Sequence, residues 1–212
     1  MKRLMVLLAI IAILGLGSTA SVAAQKSAVL LIARGETATR AVGVAGLELE
    51  IQKEVIPMVS KLNAAGFAVE IASMSGAAIK AGQSELRVDK KLADVNIQDY
   101  VGIIIPCMGE IPRAIPPEAV EIIKTANSRN MPLAAQMSGV ELLGAAGVLD
   151  GKNFATGVSW KGFIKEGNFK GEGVVHDGNI VTSGVCPWMA ATYGMKDGTD
   201  ELMTTFIALL KK

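Results

Sequence analysis

Residues 132–149, PLAAQMSGVELLGAAGVL, predict a buried strand that turns directly into a helix. The first part, PLAAQ, is a short apolar run typical of a strand covered on both faces, and SGVELLGAAG has the apolar spacing of a helix. Many α/β enzymes hold a nucleophile at such a turn, but the residue at its tip here is Met137. We interpret the next residue, Ser138, as the N-cap of the helix, with Glu141 completing a capping box, rather than as a replacement nucleophile.

The segments on either side of this stretch alternate between strand and helix patterns. Continuous apolar runs predict parallel strands, and an apolar residue every three to four positions predicts helices. Strand patterns are SAVLLIA, AVEIAS and VGIIIPCM; helix patterns are GLELEIQKEVIPMVSKLNAAGF, PEAVEIIKTANSRN and a stretch from about Trp188 to Leu210, broken near Gly194 or Gly198; VVHDGNIVTS is typical of a hairpin with its turn at Asp177-Gly178. This order predicts an α/β fold in one domain, with a parallel sheet, helices on both faces and a C-terminal β-hairpin.

Residues 1–24 have the order of features found in secretory signal peptides. Two basic residues precede an apolar run from Leu4 to Leu16, and small residues follow up to Ala24. We expect cleavage after Ala24 or the residue before it, which leaves residues 25–212 as a soluble domain, periplasmic or secreted, without stable membrane insertion. The alternative is an uncleaved membrane anchor, because the apolar run and the small residues together are just long enough to span a bilayer.

Charge and composition exclude several classes of function. The 212 residues contain 21 Lys plus Arg against 20 Asp plus Glu, so the sequence offers no net positive field to attract nucleic acid. The chain has one histidine, His176, and its Cys, His and acidic residues have no metal-ligand spacing, so we expect no metal. We expect no nucleotide or other cofactor either, because the sequence has no glycine-rich phosphate loop.

Four strings of sequence follow one another along the chain: EVIPMVSKLNAAGFAVEIAS, DYVGIIIPCMGE, PLAAQMSGVELLGAAGVLDGKNFAT and VVHDGNIVTS. Together, and in this order, they resemble the ThiJ/PfpI family of the class I glutamine amidotransferase-like superfamily. The resemblance implies a flavodoxin-like three-layer sandwich over residues 25–212. Because the family includes small glyoxalases and chaperone-like stress proteins, it also implies a role of that kind, and a homodimer is the family's habit.

The resemblance places the family's catalytic positions on residues that depart from its pattern. The nucleophilic cysteine of the family falls on Met137, whose thioether has no proton to lose. Val158 stands where many members carry a histidine, and His176 occupies a variable position of the hairpin, where we expect an exposed residue. Where the family shows Pro-Gly-Gly, this chain has side chains at Cys107 and Met108, which narrow the pocket and alter its oxyanion-binding geometry.

Glu54 corresponds to the family's pocket glutamate. It precedes Gly66 by twelve residues, as the resemblance requires, and it interrupts the apolar stripe of its helix. We therefore expect a partly desolvated carboxyl with a raised pKa. The alternative is that Glu54 lies at the edge of the stripe and reaches water.

Cys107 and Cys186 are the only cysteines, and the resemblance places both on loops that border the same pocket. In an exported protein such a pair favours a disulfide. Two alternatives stay open: Cys107 is a displaced nucleophile activated by Glu54 as base, or both residues are unrelated buried thiols.

The sequence thus leaves two hypotheses of function. The first is an exported protein without the family's cysteine-dependent catalysis that binds a small molecule or a partner protein in a vestigial pocket. The second is a Cys107-dependent thiol enzyme with redox, glyoxalase-like or hydrolase-like activity. The pocket in either case consists of Glu54, Cys107, Met108, Met137, Ser138 and Cys186.

Overall fold

The computed structural model describes residues 28–34, 36, 42–108, 115–157, 162, 164–165 and 167–212. The segment interpreted as a signal peptide, residues 1–24, lies outside the described residues, and so does Val158. No helix within the described ranges is long and apolar enough to cross a membrane.

A seven-stranded sheet lies at the centre of the described part of the chain. Four further strands form two small separate pairs. In chain order the strands are β1 Ala28–Ile32, β2 Ala68–Ser73, β3 Ile79–Ala81, β4 Ser84–Leu86, β5 Lys90–Lys91, β6 Tyr100–Ile105, β7 Leu133–Gln136, β8 Asn153–Phe154, β9 Asn168–Phe169, β10 Val174–Asp177 and β11 Ile180–Ser183. The central order is β10-β11-β7-β6-β1-β2-β5, in which β10 is antiparallel to β11 and all other neighbours are parallel. The predicted parallel sheet and its hairpin are confirmed. The sequence does not predict the short strand pairs β3–β4 and β8–β9, because strands of two or three residues are too short to show a periodic pattern.

Helices cover both faces of this sheet. They are α1 Gly43–Glu50, α2 Ile56–Ala64, α3 Pro117–Ser128, α4 Val140–Ala145, α5 Pro187–Tyr193 and α6 Thr199–Leu210. Leu31 and Ile104 point to the face that α1, α2 and α6 cover, and their strand neighbours Leu30 and Ile103 point to the face covered by α3 and α4. This alternation follows from the two-residue repeat of a strand, and it makes the predicted three-layer α/β sandwich.

The first predicted helix contains a π-helical segment, Ile51–Val55, between α1 and α2. Its last hydrogen bond runs from the amide of Ile56 to the carbonyl of Ile51, five residues back. Pro57 explains the widened turn, because its ring has no N–H to donate and clashes with the carbonyl four residues earlier in a regular α-helix. The predicted C-terminal helix is likewise divided: α5 ends at Tyr193, the next residue, Gly194, has a left-handed φ of 67°, and α6 begins at Thr199.

Candidate functional site

The turn from β7 into α4 lies at the carboxyl edge of the central sheet. Met137 follows β7 with a φ of 48°, a left-handed conformation that is uncommon outside glycine. Its carbonyl accepts a hydrogen bond of 3.0 Å from the Thr156 hydroxyl, which holds the turn. Gly139 allows this turn to pass close to β6, because a Cβ there would lie 2.5 Å from the carbonyl oxygen of Ile105.

Ser138 does not cap α4, so that interpretation is wrong. Its hydroxyl donates a 2.7 Å hydrogen bond to the carbonyl of Cys107 and lies 3.5 Å from the Cys107 sulfur. Glu141 completes no capping box, because its carboxylate pairs with Arg34 at 3.3 Å instead. The short 3₁₀ turn at Met137–Gly139 directs Ser138 across to the loop after β6, which the capping pattern could not reveal.

Glu54 is fully buried in the π-helical segment. Its carboxyl oxygens accept hydrogen bonds from the backbone amides of Cys107, at 2.8 Å, and Met108, at 3.2 Å. Met108 shares the left-handed φ of 48° found at Met137, and this conformation lets two successive amides point at one carboxyl group. The alternative in which Glu54 reaches water is wrong.

A second buried carboxyl, Glu50, lies one helical turn before Glu54. Its Oε1 accepts hydrogen bonds from the Cys186 thiol, at 3.0 Å, and from the amide of Trp188, at 3.2 Å. Its Oε2 is buried and receives no hydrogen bond from an N–H group or a hydroxyl among the described residues, although the Glu50 and Glu54 side chains hydrogen-bond each other when one of them is protonated. Sequence reasoning missed Glu50, although its position four residues before Glu54 places both on the same face of a helix.

Burial governs the protonation of this carboxyl pair. It raises the pKa of Glu50 to about 8. Burial also raises the pKa of Glu54 well above its usual range, and the nearby Glu50 adds to the effect. Two carboxyls this close in a poorly solvated setting resist ionising together, so the pair retains a proton at neutral pH.

Cys107 and Cys186 come together as two buried free thiols. Their sulfur atoms and a carboxylate oxygen of Glu50 all lie within 4.8 Å of one another. The pKa of Cys107 is lowered, first because the Cys186 thiol can donate a hydrogen bond to its sulfur, whereas the same contact and burial raise the pKa of Cys186. The Cys186 thiol has one proton, which it can donate in a hydrogen bond either to the Cys107 sulfur or to the Glu50 oxygen, so the protonation states of the three groups depend on one another.

The predicted pocket residues gather around this pair of thiols. Cys107, Met137 and Cys186 form one buried cluster, against which Trp188 and Met189 pack. His176 is exposed on β10, as expected, and its Nε2 lies 2.8 Å from the carbonyl of Gly178. The expectation of no metal site depended on spacing along the chain, whereas the fold collects three potential ligands from three distant segments.

The model of one protein family matches residues 46–191, more than half of the chain. The chain belongs to the DJ-1/PfpI family. A protein from Archaeoglobus fulgidus is 33% identical to it over 132 residues, which are 58% of this chain and 76% of that protein.

Solved structures support the same fold for this DJ-1/PfpI chain. A ThiJ/PfpI domain protein from Brachyspira murdochii matches with a TM-score of 0.69 at 15% identity, over 88% of this chain and 97% of the other. DJ-1beta from Drosophila melanogaster matches with a TM-score of 0.57 at 19% identity, over 87% of this chain and 95% of the other. At these identities the likeness establishes the fold alone.

Proposed function

We propose that this chain is an exported DJ-1/PfpI protein that binds a small ligand at its buried thiol and carboxyl centre. It has lost the catalysis that depends on a cysteine at the turn from β7 into α4. The conformation of Met137 carries the proposal. Its backbone keeps the left-handed φ of 48° at the turn after β7, while its side chain, 4% exposed, is a thioether that cannot act as nucleophile. Such a backbone conformation costs on the order of 1 kcal/mol, so its retention without a nucleophile points to a site used for something else.

The contacts of Glu54 argue against carbonyl chemistry independently of Met137. Catalysis on a carbonyl needs amide donors that are free to stabilise a developing oxyanion. The amides of Cys107 and Met108 already donate to the buried carboxyl of Glu54. A substrate oxyanion would have to displace that carboxyl group, which has no route to solvent while it is buried.

The polar groups of the centre favour binding. Leaving a buried polar atom without a partner costs about 1–3 kcal/mol, so such atoms are few, and a bound water, ion or ligand is one explanation for each. Glu50 Oε2 is one of them in the described part of the chain, and it belongs to the carboxyl group that contacts Cys186. A ligand that accepts electron pairs from sulfur and oxygen would satisfy this group.

The test of lost catalysis compares the wild type with Met137→Cys in glyoxalase and peptidase assays. We expect neither protein to exceed the rate without enzyme, because restoring the thiol leaves the amide donors occupied by Glu54. Cys107→Ser is the control for the other cysteine. Wild-type turnover that disappears in Cys107→Ser would refute the proposal and establish a Cys107-dependent enzyme.

Export is proposed from the sequence of residues 1–24 and is tested by cell fractionation. We expect a form beginning near Gln25 in the periplasmic or secreted fraction, because cleavage at Ala24 removes the apolar run. N-terminal sequencing identifies the cleavage point. A full-length form that stays with membranes after a high-salt wash would contradict it.

A second candidate function, thiol redox chemistry, is favoured by the environment of Cys107. The Ser138 hydroxyl lies 3.5 Å from its sulfur, and Cys186 is close enough to act as the resolving thiol. With a small disulfide as oxidant, the Cys107 thiolate would attack one sulfur and release one thiol. Cys186 would then displace the second, so that one protein disulfide forms and the oxidant takes up two electrons and two protons.

Alkylation with mass spectrometry separates these functions. A redox enzyme would cycle between two alkylatable thiols and none, and would reduce the small disulfide catalytically when a reductant is supplied. A binding protein would show no such turnover, whichever oxidation state it is isolated in.

A further inference from the structure

The cluster of Cys107, Cys186 and Glu50 has the composition of a metal site. Cys107 follows β6, Cys186 precedes α5 and Glu50 ends α1, so three separate elements each supply one group. All three residues are buried, and one atom from each lies within 4.8 Å of the other two. Two thiols and a carboxyl group are ligands that lose protons readily to a bound cation.

A structural role explains this cluster poorly. Thiols are accommodated in an apolar core as small hydrophobic groups, but a buried carboxyl group is not. The unpartnered oxygen of Glu50 lies in the same carboxyl group that accepts the Cys186 thiol at 3.0 Å. A proton shared with Glu54 compensates this burial only while one carboxyl stays protonated, whereas a cation between the sulfurs and Glu50 would neutralise the ionised carboxylate directly.

We propose that Cys107, Cys186 and Glu50 bind one thiophilic divalent metal ion, Zn²⁺ by preference, which would be the ligand of the binding function proposed above. Tetrahedral Zn²⁺ places its sulfur and oxygen ligands roughly 3.5–3.8 Å apart. The Cys186 sulfur and Glu50 Oε1, now 3.0 Å apart, would separate by about 0.5 Å, and the other distances, all within 4.8 Å, would shorten by about 1.3 Å at most. Two S–Zn bonds and one O–Zn bond form, the displaced protons pass to the buffer, and no electrons are transferred.

Neighbouring groups would orient these ligands. The Trp188 amide holds Glu50 Oε1 at 3.2 Å, and the Ser138 hydroxyl lies 3.5 Å from the Cys107 sulfur. Hydrogen bonds of this kind fix ligand orientation in metal sites and typically affect affinity by about 10–100-fold. Met137 packs in the same cluster as the two thiols, so its uncharged thioether lies beside the proposed site.

The ligand chemistry selects among metals. Thiolates disfavour Mg²⁺ and Ca²⁺, which prefer oxygen ligands. Cu⁺ would use the two sulfurs but gain little from a carboxylate, whereas Zn²⁺ accepts both types. The contribution of Glu50 therefore distinguishes Zn²⁺ from Cu⁺.

The experiment is a Zn²⁺ titration of the reduced full-length protein in competition with a chromophoric chelator. We expect one equivalent to bind, and Cys107→Ser, Cys186→Ser and Glu50→Gln each to weaken binding by about 100-fold or more, beyond the effect of an orienting residue. Glu121→Gln is the matched control, because Glu121 is an exposed helical carboxylate paired with Lys124. It should bind as the wild type does.

Two measurements keep the result independent of misfolded variants. Circular dichroism checks that each variant is folded, and in the wild type Zn²⁺ should protect both cysteines from alkylation. Co²⁺ used as a probe should give a sulfur-to-metal charge-transfer band that either serine variant diminishes.

The outcomes test the metal site separately from the proposed loss of catalysis. The metal site is refuted if the folded, reduced wild type takes no Zn²⁺ from the chelator and Zn²⁺ does not protect its thiols from alkylation. It is also refuted if the protein binds Cu⁺ tightly but not Zn²⁺, and Glu50→Gln leaves the Cu⁺ affinity unchanged. Neither result affects the proposal that catalysis at the turn from β7 into α4 is lost, because the turnover assays test that proposal separately.

Discussion

Arg34 stabilises the turn at the candidate site from the end of β1. One guanidinium nitrogen donates a 2.9 Å hydrogen bond to the carbonyl of Ser138, and the other pairs with Glu141 at 3.3 Å. The side chains of Arg34 and Glu141 are only 3% and 10% exposed. Replacing Arg34 by methionine should therefore destabilise the whole turn.

The expected cost follows from what the substitution leaves behind. Losing a charge-assisted hydrogen bond to the Ser138 carbonyl costs about 1.5–3 kcal/mol, and leaving Glu141 buried without Arg34 adds about 1–3 kcal/mol. The sum agrees with the roughly 3–5 kcal/mol typical of breaking a buried ion pair from one side. Removing both charges, in Arg34→Met with Glu141→Leu, should recover much of this loss, because no carboxylate is then left buried.

Urea denaturation at neutral pH measures these free energies of unfolding. The chain contains its own control, since Lys61 and Asp200 pair at the same distance of 3.3 Å but are 42% and 85% exposed. Lys61→Met should cost less than about 1 kcal/mol. Equal losses of stability for Arg34→Met and Lys61→Met would refute the argument that burial makes the Arg34 pair important.

Two further substitutions test the hairpin and the turn. The backbone amide of Asn153 donates a hydrogen bond to the Asp177 carboxylate, and this is the main reason that the pKa of Asp177 is lowered in the folded protein. The carboxylate therefore stabilises the fold above the unfolded pKa of 3.8, and this stabilisation is lost as the pH falls through the folded pKa. Asp177→Asn should thus cost about 1 kcal/mol at pH 7 and progressively less below about pH 4, and a constant difference in urea midpoints between pH 7 and about pH 2 would contradict the prediction. Gly139→Ala brings a Cβ to 2.5 Å from the Ile105 carbonyl and should lower the melting temperature sharply, whereas Gly173→Ala, with nothing within 4 Å of its Cβ among the described residues, should not; similar melting temperatures would show that the turn is not constrained there.

The fold could be predicted because its determinants are local and repeated. Continuous apolar runs at β1 and β6 and the apolar stripes of α3 set strand and helix identity over many residues at once. The π-helical segment could not be predicted in this way, because it depends on how Pro57 is accommodated once the helix packs on the sheet. A widened turn changes the hydrogen bonding while leaving the apolar pattern almost unchanged.

The site was predictable residue by residue but not as an arrangement. Spacing identified Glu54 as a carboxyl on an apolar face, and the resemblance brought Cys107 and Cys186 to neighbouring loops. Nothing local indicates that Glu54 accepts hydrogen bonds from two backbone amides, because these amides are 53 and 54 positions away along the chain. The same holds for the hydrogen bond from Ser138 to the Cys107 carbonyl, which spans 31 positions. Glu50 had a helical signal, but its importance depends on Cys186, which is 136 residues away.

The predicted disulfide and the proposed metal site compete for the same two sulfur atoms. A disulfide would draw the sulfurs to about 2.05 Å and needs Cα atoms within about 7 Å, whereas a shared Zn²⁺ holds the sulfurs roughly 3.8 Å apart. The structure has the thiols free, within 4.8 Å of each other and of a carboxyl oxygen that a disulfide would leave unused. Cys107 is 3% exposed and Cys186 is fully buried, so a bulky oxidant reaches neither easily, while a bare ion needs only a transient opening. Glu50 therefore decides between the two outcomes: its carboxyl group is a cost beside a disulfide and a ligand beside a metal ion.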